Sequence, residues 1–301
     1  MVTDARAEVL PGSRRGRRAR RGNLLRRVGI YAAVVLILVW TLTPYLWMII
    51  SSFSFKADLL EVPARLIPDR FTLDNYRELL GSASGGSTNT SLLVSSLRNS
   101  AIIATGTTAV ALVLSVLAAY AIARLRFPGR RFYLFGVMSV QMIPPIAIVI
   151  PLYVILRQFN LLDTHIGLVL VYMSLILPLA IWMMRSYLAT IPAELEEAAM
   201  IDGASRIGAL IRVTLPLAIP GVITVAVFTF VVAWNEYLYA FTLTNVSAKT
   251  LPVLIGEFST KLGLEHLKIA AAGVVASLPP LVIAFAFQRY LVRGMTAGAI
   301  K

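Results

Sequence analysis

Six long apolar stretches run along the chain, separated by shorter polar segments. They cover roughly residues 29–51, 100–123, 132–156, 167–186, 215–243 and 270–292. A helix needs ~20 consecutive apolar residues to cross the hydrocarbon core of a bilayer. The pattern therefore predicts an all-α, polytopic integral membrane protein with six transmembrane helices. The fifth stretch is long enough to tilt or to carry a part that does not span.

Basic residues are concentrated at one set of span ends. The first 28 residues contain nine Arg, and residues 124–131 add four more. Because Lys and Arg near span ends favour the cytoplasmic side, we expect residues 1–28, 124–131, 187–214 and 294–301 in the cytoplasm, with both termini on that side. The transmembrane domain then covers residues 29–293, surrounded by membrane lipid.

The Arg-rich segment 1–28 allows two interpretations. A disordered tail that sets the topology is the one we adopt. A patch for nucleic acid or anionic lipid is the alternative, because a dense cluster of Arg attracts phosphate. We expect no nucleic-acid partner.

Residue types and motifs that the chain lacks exclude several kinds of catalytic and binding site. The chain has no Cys, and its two His, His165 and His266, lie far apart in sequence. Disulfides and thiolate chemistry are therefore excluded, and no metal or cofactor site is expected. No GxxxxGK[ST] phosphate-binding loop occurs, so the chain is not predicted to hold ATP by that route. No paired acids or nucleophile–base set stands out, and we expect no enzymatic activity.

Helix breakers and one acid mark the interior of the spans. Glu236 is the only acid inside a predicted span. At mid-bilayer a carboxylate costs ~2.5–3.5 kcal/mol, so it should face protein or a water-filled path. Proline, which removes a backbone donor and kinks helices, occurs in the last four spans at Pro144, Pro145, Pro151, Pro178, Pro220, Pro279 and Pro280. Kinked spans around a buried acid are typical of a transporter.

The neighbours of Glu236 suggest what such a path would carry. Aromatic faces with amide and carboxylate acceptors suit a sugar-sized polyol, which needs stacking surface and hydrogen-bond partners. The candidate translocation path comprises Trp234, Asn235, Glu236 and Tyr237. The alternative is that these residues mark the outer membrane interface, where Trp and Tyr collect.

A compact acidic segment, EEAAMIDGAS, lies between the fourth and fifth spans. Pro192 suits the first turn of a helix, and the acids after it complement the helix dipole. Asp202-Gly203 is predicted to end this helix, because Gly adopts the left-handed conformation that closes one. A second short helix, about 205–213, leads into Leu215-Pro216. We call this predicted helix–turn–helix of residues 192–213 the knob; its small Ala residues and acidic edge favour docking into a partner.

The knob carries a recognisable signature. Residues 197–216 (EAAMIDGASRIGALIRVTLP) resemble the EAA signature of bacterial ABC importer permeases, which is EAA, three residues, Gly, nine residues, an aliphatic residue, one residue, then LP. The matching positions are Glu197, Ala198, Ala199, Gly203, Val213, Leu215 and Pro216. Five further segments resemble the shorter, six-span permease of the maltose-type sugar importers: 98–105, 118–130, 141–156, 160–172 and 234–240. The terminal GMTAGAIK (294–301) resembles the tail of that permease.

The resemblance implies a type I ABC importer permease fold in a bacterial inner membrane. Within that family the knob is the coupling helix that docks on the ATPase, which assigns a coupling role to Glu197, Ala198, Ala199, Asp202, Gly203, Leu215 and Pro216. The implied partners are an ATPase subunit dimer that holds ATP and Mg, a second homologous permease and an extracytoplasmic sugar-binding lipoprotein. The Arg- and Ala-rich composition suggests an actinobacterial version, with trehalose as the expected sugar. An ion-gradient-driven secondary transporter is the alternative from another class, although it has no use for a docking knob.

Overall fold

The computed structural model describes residues 14–55, 58, 67–68, 70–80, 87–259 and 265–297, without the side chains of residues 14–25, 87–90, 131 and 292–297. All regular elements in these ranges are helical, so the predicted all-α class is confirmed. The helices are α1 Arg14–Ser52, α2 Asp74–Leu79, α3 Ser87–Arg124, α4 Arg130–Ser139, α5 Pro145–Gln158, α6 His165–Leu188, α7 Glu194–Ile201, α8 Arg206–Ala209, α9 Leu215–Leu217, α10 Ile219–Asn235, α11 Leu238–Leu243, α12 Leu251–Glu257 and α13 His266–Ala297. A 3₁₀ turn, Val140–Met142, follows α4, and a π-helical turn, Leu210–Thr214, follows α8.

Four helices of the described chain are long and apolar enough to cross a membrane by themselves. They are the segments Arg26–Ser52, Ser91–Arg124, His165–Leu188 and His266–Leu291. Two bent pairs, Phe132–Met142 with Pro145–Gln158 and Arg206–Leu217 with Ile219–Asn235, raise the number to six if each pair is one span. Each of the six predicted stretches therefore corresponds to a helix, or to a bent pair of helices, that is long and apolar enough to span the membrane. Two of the six are bent pairs.

The third predicted span, 132–156, is broken. Its two halves meet at an angle of 94°. Ile143 and Pro144 are both extended, with ψ of 122° and 129°. Each precedes a proline, and the ring of the following proline excludes the α conformation at the residue before it. The span predicted over 132–156 is therefore broken into two helices rather than only kinked, because two successive prolines force two successive extended residues.

The fifth predicted span, 215–243, is also not one helix. A 79° bend separates the segment ending at Leu217 from α10. At the other end α10 stops at Asn235, and Glu236 is extended with ψ of 129°. The membrane-spanning part is α10, and α11 is the non-spanning part that the length of the stretch allowed for.

Helix α1 begins at Arg14. Residues 14–28, which we expected to belong to a disordered tail, are helical here and continue the first span without a break. Arg, Ala and Leu are good helix formers, and no proline separates them from the span. Residues 1–13 and the C-terminal residues 298–301 lie outside the described residues, so the predictions made for them are not tested.

The core is formed by α3, α6, α10 and α13 around a set of fully buried side chains. Small residues on the packed faces, such as Ala104, Ala111, Ala180 and Ala271, have no exposed surface. Membrane helices associate through such residues because a small side chain lets two backbones approach closely. The long α1 lies outside this core and touches α13, where the Tyr45 and Ser277 hydroxyls lie 2.9 Å apart.

Candidate functional site

The knob is a helix–turn–helix, as its sequence predicts. The first helix, α7, places Glu194, Glu196 and Glu197 in its first turn, where the positive end of the helix dipole stabilises carboxylates. Pro192 precedes this helix by two residues rather than lying inside it. Ser205 begins the second helix, since its side chain accepts a hydrogen bond from the Gly208 N–H at 3.1 Å.

The turn between the two helices is a Schellman motif. The Gly203 N–H donates to the Met200 carbonyl at 3.1 Å, and the Ala204 N–H donates to the Ala199 carbonyl at 3.0 Å. Gly203 has a φ of +91°, which L side chains rarely adopt. No atom lies within 4 Å of the position that a Cβ would take, so the demand for Gly is conformational rather than steric. The predicted helix break at Asp202-Gly203 is confirmed.

The outer surface of the knob is apolar as well as acidic. Glu197, Ala198 and Asp202 are exposed. Beside them Ile201 is 86% exposed and Ile207 is 69% exposed. We predicted no role for either isoleucine, because the connecting segment contains several other large aliphatic residues and the sequence does not show which of them are exposed.

A buried ion pair attaches the knob to the end of α3. The Arg124 Nε atom lies 2.7 Å from Glu196 Oε1, with 12% and 4% of the two side chains exposed. Arg124 Nη2 also donates to the Ile191 carbonyl at 2.8 Å. Both ends of the guanidinium therefore hold the segment that enters α7. We had counted Glu196 only among the helix-dipole acids, because the sequence does not indicate which carboxylate faces inward.

The remaining residues of the signature lie below the knob. Leu215 and Pro216 are in α9, the single turn between the π-helical turn and the 79° bend. Thr214 beside them is fully buried. A π-helical turn holds one extra residue per turn and is frequent at functional sites. Leu215 is partly buried and Pro216 is exposed, and both lie between the knob and the bend rather than in α7 or α8, so their coupling role stays a prediction.

Trp234 does not line a path in this structure. Its side chain is buried at 3% exposure and stacks on Phe230, with ring centroids 5.6 Å apart. Its Nε1 donates to the Ala276 carbonyl at 3.0 Å. Pro280 lies four residues after Ala276 and has no N–H, so it leaves that carbonyl without its helical partner. Trp234 supplies the missing donor, so its ring is held in the core here, and its assignment to the path stays a prediction.

The other three candidate path residues follow α10. Asn235 is exposed, and its amide donates to the Val231 carbonyl of its own helix at 2.8 Å. Glu236 accepts hydrogen bonds from the backbone N–H groups of Tyr239 and Ala240 at 2.9 and 3.1 Å, so it caps the start of α11. Tyr237 is 42% exposed. Its ring stacks on Phe241.

A second polar cluster lies at the opposite end of the protein from the knob. The Asp163 carboxylate accepts four hydrogen bonds from the consecutive N–H groups of residues 245–248, at 2.9 to 3.1 Å. Asn99 donates to the carbonyls of Ser247 and Lys249, and its own Oδ1 accepts from His165 Nε2 at 2.8 Å. Burial raises the pKa of Asp163, but the four N–H donors outweigh it and lower that pKa from 3.8 to about 2. This cluster joins the N-terminal parts of α3 and α6 to the loop after α11.

No three His, Asp or Glu side chains in the described ranges are arranged to hold a metal ion. His165 bonds to Asn99, and His266 begins α13 on the same face of the protein.

Known proteins share both the sequence and the fold. Residues 111–297 match the family described as binding-protein-dependent transport system inner membrane component. The trehalose transport system permease protein SugB of Mycobacterium tuberculosis is 40% identical over 280 residues, which cover 91% of this chain and 98% of SugB. The trehalose/maltose transport system permease protein MalG of Thermococcus litoralis is 35% identical over 283 residues, covering 93% of this chain and 99% of MalG.

A solved structure agrees with these relatives. A chain of a bacterial ABC transporter involved in the import of the acidic polysaccharide alginate superimposes with a TM-score of 0.71 at 25% identity, covering 88% of this chain and 96% of that one. The resemblance to ABC importer permeases is confirmed, and the ion-gradient-driven alternative is wrong. The chain belongs to the family of inner membrane components of binding-protein-dependent transport systems, the membrane-spanning permease subunits of ABC importers.

Proposed function

We propose that this chain forms half of the membrane pathway of an ATP-driven importer for a di- or oligosaccharide, with trehalose as the first candidate. Support for a sugar comes from the relatives, since SugB and MalG are both named for trehalose transport. The second half of the pathway is a homologous permease. A sugar-binding lipoprotein delivers the substrate from outside, and an ATPase dimer in the cytoplasm binds ATP and Mg.

The single observation that carries this proposal is the exposed apolar face of the knob. Ile201 and Ile207 would be unfavourable in water, whereas a partner groove would bury them. The face lies on a short helix that a buried ion pair attaches to α3. A rigid attachment of this kind suits a surface that must pass force to the spans. The partner that fits is the ATPase, with the knob and both termini on the cytoplasmic side, where the Arg-rich span ends favour them.

The path itself is assigned to the exposed side of the α10–α11 junction. Asn235 and Tyr237 are exposed there and supply an amide and an aromatic ring. Glu236 fixes the junction by capping α11. Sugar hydroxyls would bond to the amide while the ring covers an apolar face of the pyranose.

The test is co-purification and uptake with variants of the knob. Ile201→Ser and Ile207→Ser together should reduce co-purified ATPase at least about tenfold, because burying two aliphatic side chains contributes roughly 3 kcal/mol or more. Val246→Ser, a similarly exposed apolar position in the loop after α11, is the control and should retain the ATPase. Uptake of labelled trehalose should fall with the ATPase in the double variant only. A double variant that retains both would refute the docking assignment, and a wild-type complex that moves no sugar would refute the substrate class.

A further inference from the structure

A cavity of about 480 Å³ opens between the ends of α3, α4 and α6 that lie nearest the knob. Two Arg side chains, Arg130 and Arg185, line it together with an apolar wall of Ile122, Leu134, Phe135, Met138 and Trp182. No acidic residue is among these lining residues. The cavity lining therefore combines two positively charged side chains with an apolar wall.

The two kinds of lining are separated along the helices. Arg130 is the first residue of α4, and Leu134 and Met138 follow it on successive turns of the same helix face. Eight residues of helix rise about 12 Å, so the apolar wall extends about that far from the charge along the axis of α4. On α6, Arg185 lies one turn nearer the surface than Trp182. Both Arg residues thus lie at the knob-side ends of their helices, and the apolar lining residues lie farther from the knob along α4 and α6.

Neither guanidinium forms a salt bridge with a described residue, although Arg130 also lines the neighbouring cavity that contains Glu196 and Glu197. Arg185 Nε is buried and has no hydrogen-bond partner there. Arg130 makes no salt bridge to a described residue, unlike the nearby Arg124, which is paired with Glu196. A buried cationic donor without an acceptor is costly, so an anion that supplies oxygen atoms would stabilise this site.

We propose that the cavity binds one anionic glycerophospholipid from the leaflet on the knob side of the membrane. The phosphate lies between Arg130 and Arg185, and an acyl chain lies along Leu134, Met138 and Trp182. Basic pockets between membrane helices are suited to such headgroups. Because no acid lines the cavity, a net-negative headgroup is preferred over a zwitterionic one, whose extra cation would meet two Arg. The lipid would join α4, the knob-side half of a broken span, to the α6 end that enters the knob. This inference needs only a bilayer and does not depend on which sugar is carried.

The test uses the full-length chain in its purified transporter complex, probed by native mass spectrometry with added phosphatidylglycerol or phosphatidylcholine. Each Arg near a membrane surface strengthens the binding of an anionic lipid headgroup. The contributions of two Arg together correspond to about 30-fold, so wild type should retain phosphatidylglycerol about 30-fold more strongly than the Arg130→Gln/Arg185→Gln double variant. Arg289→Gln is the matched control, since Arg289 is an exposed Arg near the same membrane surface but outside the cavity. Arg130→Gln alone, on a half-exposed side chain, should give an intermediate loss and guards against misfolding of the double variant.

Four results would overturn the proposal. Equal retention of the two lipids by wild type would show that charge does not select the ligand. Unchanged phosphatidylglycerol in the double variant would place the lipid elsewhere. Displacement of the lipid by millimolar inorganic phosphate, with phosphate bound in its place, would identify a free-anion site. Loss of the second permease from the double variant with lipid retention unchanged would identify the cavity as a subunit contact.

Discussion

Arg124 and Glu196, 72 residues apart in sequence, form a buried ion pair at 2.7 Å that joins the end of α3 to the first turn of the knob. Arg124 also bonds to the Ile191 carbonyl, so the entry to the knob is held at two points. Tyr120, one turn earlier on α3, places its hydroxyl 3.5 Å from the Arg206 carbonyl on the other side of the knob. The knob is therefore a rigid extension of α3 and not a hinged loop.

Removing one partner of this pair should loosen the knob. Glu196→Ala leaves the Arg124 guanidinium buried without its carboxylate, and breaking a buried pair costs about 3–5 kcal/mol. We expect a lower Tm of the purified permease and loss of co-purified ATPase. Glu194→Ala removes an exposed acid from the same turn and serves as the control. The paired replacement Arg124→Met/Glu196→Leu should recover much of the Tm, because well-packed apolar residues can replace a buried pair. Equal Tm values for Glu196→Ala and Glu194→Ala would contradict the rigid attachment.

Whether a substitution at Gly203 is tolerated should depend on how readily the new residue adopts a positive φ. Gly203→Val places a β-branched side chain at a φ of +91°, where any L side chain costs roughly 1–2 kcal/mol. The second helix should then be re-aimed, with the permease inserted but its ATPase lost or hydrolysing ATP without transport. Gly203→Asn is the control, because Asn tolerates the left-handed region far better. A loss of coupling that is as large in Asn as in Val would mean that side-chain volume, not conformation, matters at this position.

The surface of the knob should respond to bulk and to charge. Ala199→Trp overpacks a close interface, which typically costs ~1–3 kcal/mol. Glu197→Lys reverses an exposed acid that is placed to meet a basic group of the ATPase, and losing a desolvated partner costs ~2–5 kcal/mol. Both variants should insert normally and lose ATPase on purification. Normal uptake with a full complement of ATPase in both would make the knob an ordinary connecting loop.

Trp234 should be needed for stability and not for sugar binding. Trp234→Phe preserves the stacking on Phe230 but removes the donor to Ala276, which Pro280 leaves without a helical partner. An unsatisfied buried acceptor costs about 1–3 kcal/mol, so we expect a lower Tm with an unchanged affinity for sugar in the assembled complex. Trp40→Phe, at a position that is 82% exposed on α1, should leave the Tm unchanged. A normal Tm with weakened sugar binding would return Trp234 to the path.

The pathway assignment is tested at Asn235 and Glu236. Asn235→Ala removes an exposed amide and should lower sugar uptake and sugar-stimulated ATPase activity while the complex assembles normally. Glu236→Gln removes the charge that caps α11, so it should lower uptake together with the Tm. Wild-type uptake and wild-type stimulation in both variants would favour the interfacial-belt interpretation.

The Asp163 cluster should make stability depend on pH in the acid range. The pKa of Asp163 is lowered in the folded protein to about 2, below its ordinary 3.8, by the four N–H donors that outweigh burial. A carboxylate whose pKa is lower in the folded protein than in the unfolded chain stabilises the fold at pH values above its unfolded pKa. This stabilisation is lost as the pH falls from about 4 to about 2. Asp163→Asn should therefore lower the Tm at pH 6, and its difference from wild type should shrink at pH 3. Glu194→Gln is the exposed control. A difference that stays constant with pH would exclude the carboxylate as the cause.

Local features of the sequence determined much of this fold. A run of about 20 apolar residues is long enough to cross a bilayer wherever it occurs, so all six stretches were found. Gly203 and the pair Pro144-Pro145 restrict their own backbone, which explains why the helix break in the knob could be predicted. The 94° angle at the proline pair could not, because two extended residues fix a break but not the direction that the chain takes afterwards.

Only the tertiary structure decided which polar groups meet. Glu196 could be told from Glu194 and Glu197 only by the position of Arg124, and Trp234 is in the core only because α13 offers it an unpaired carbonyl. In a membrane protein, apolar side chains face both lipid and neighbouring helices, so hydrophobic periodicity does not identify the packed face. The contacts that position the knob and hold Trp234 in the core join residues 72 and 42 positions apart. They form when distant helices pack, and no local pattern records them.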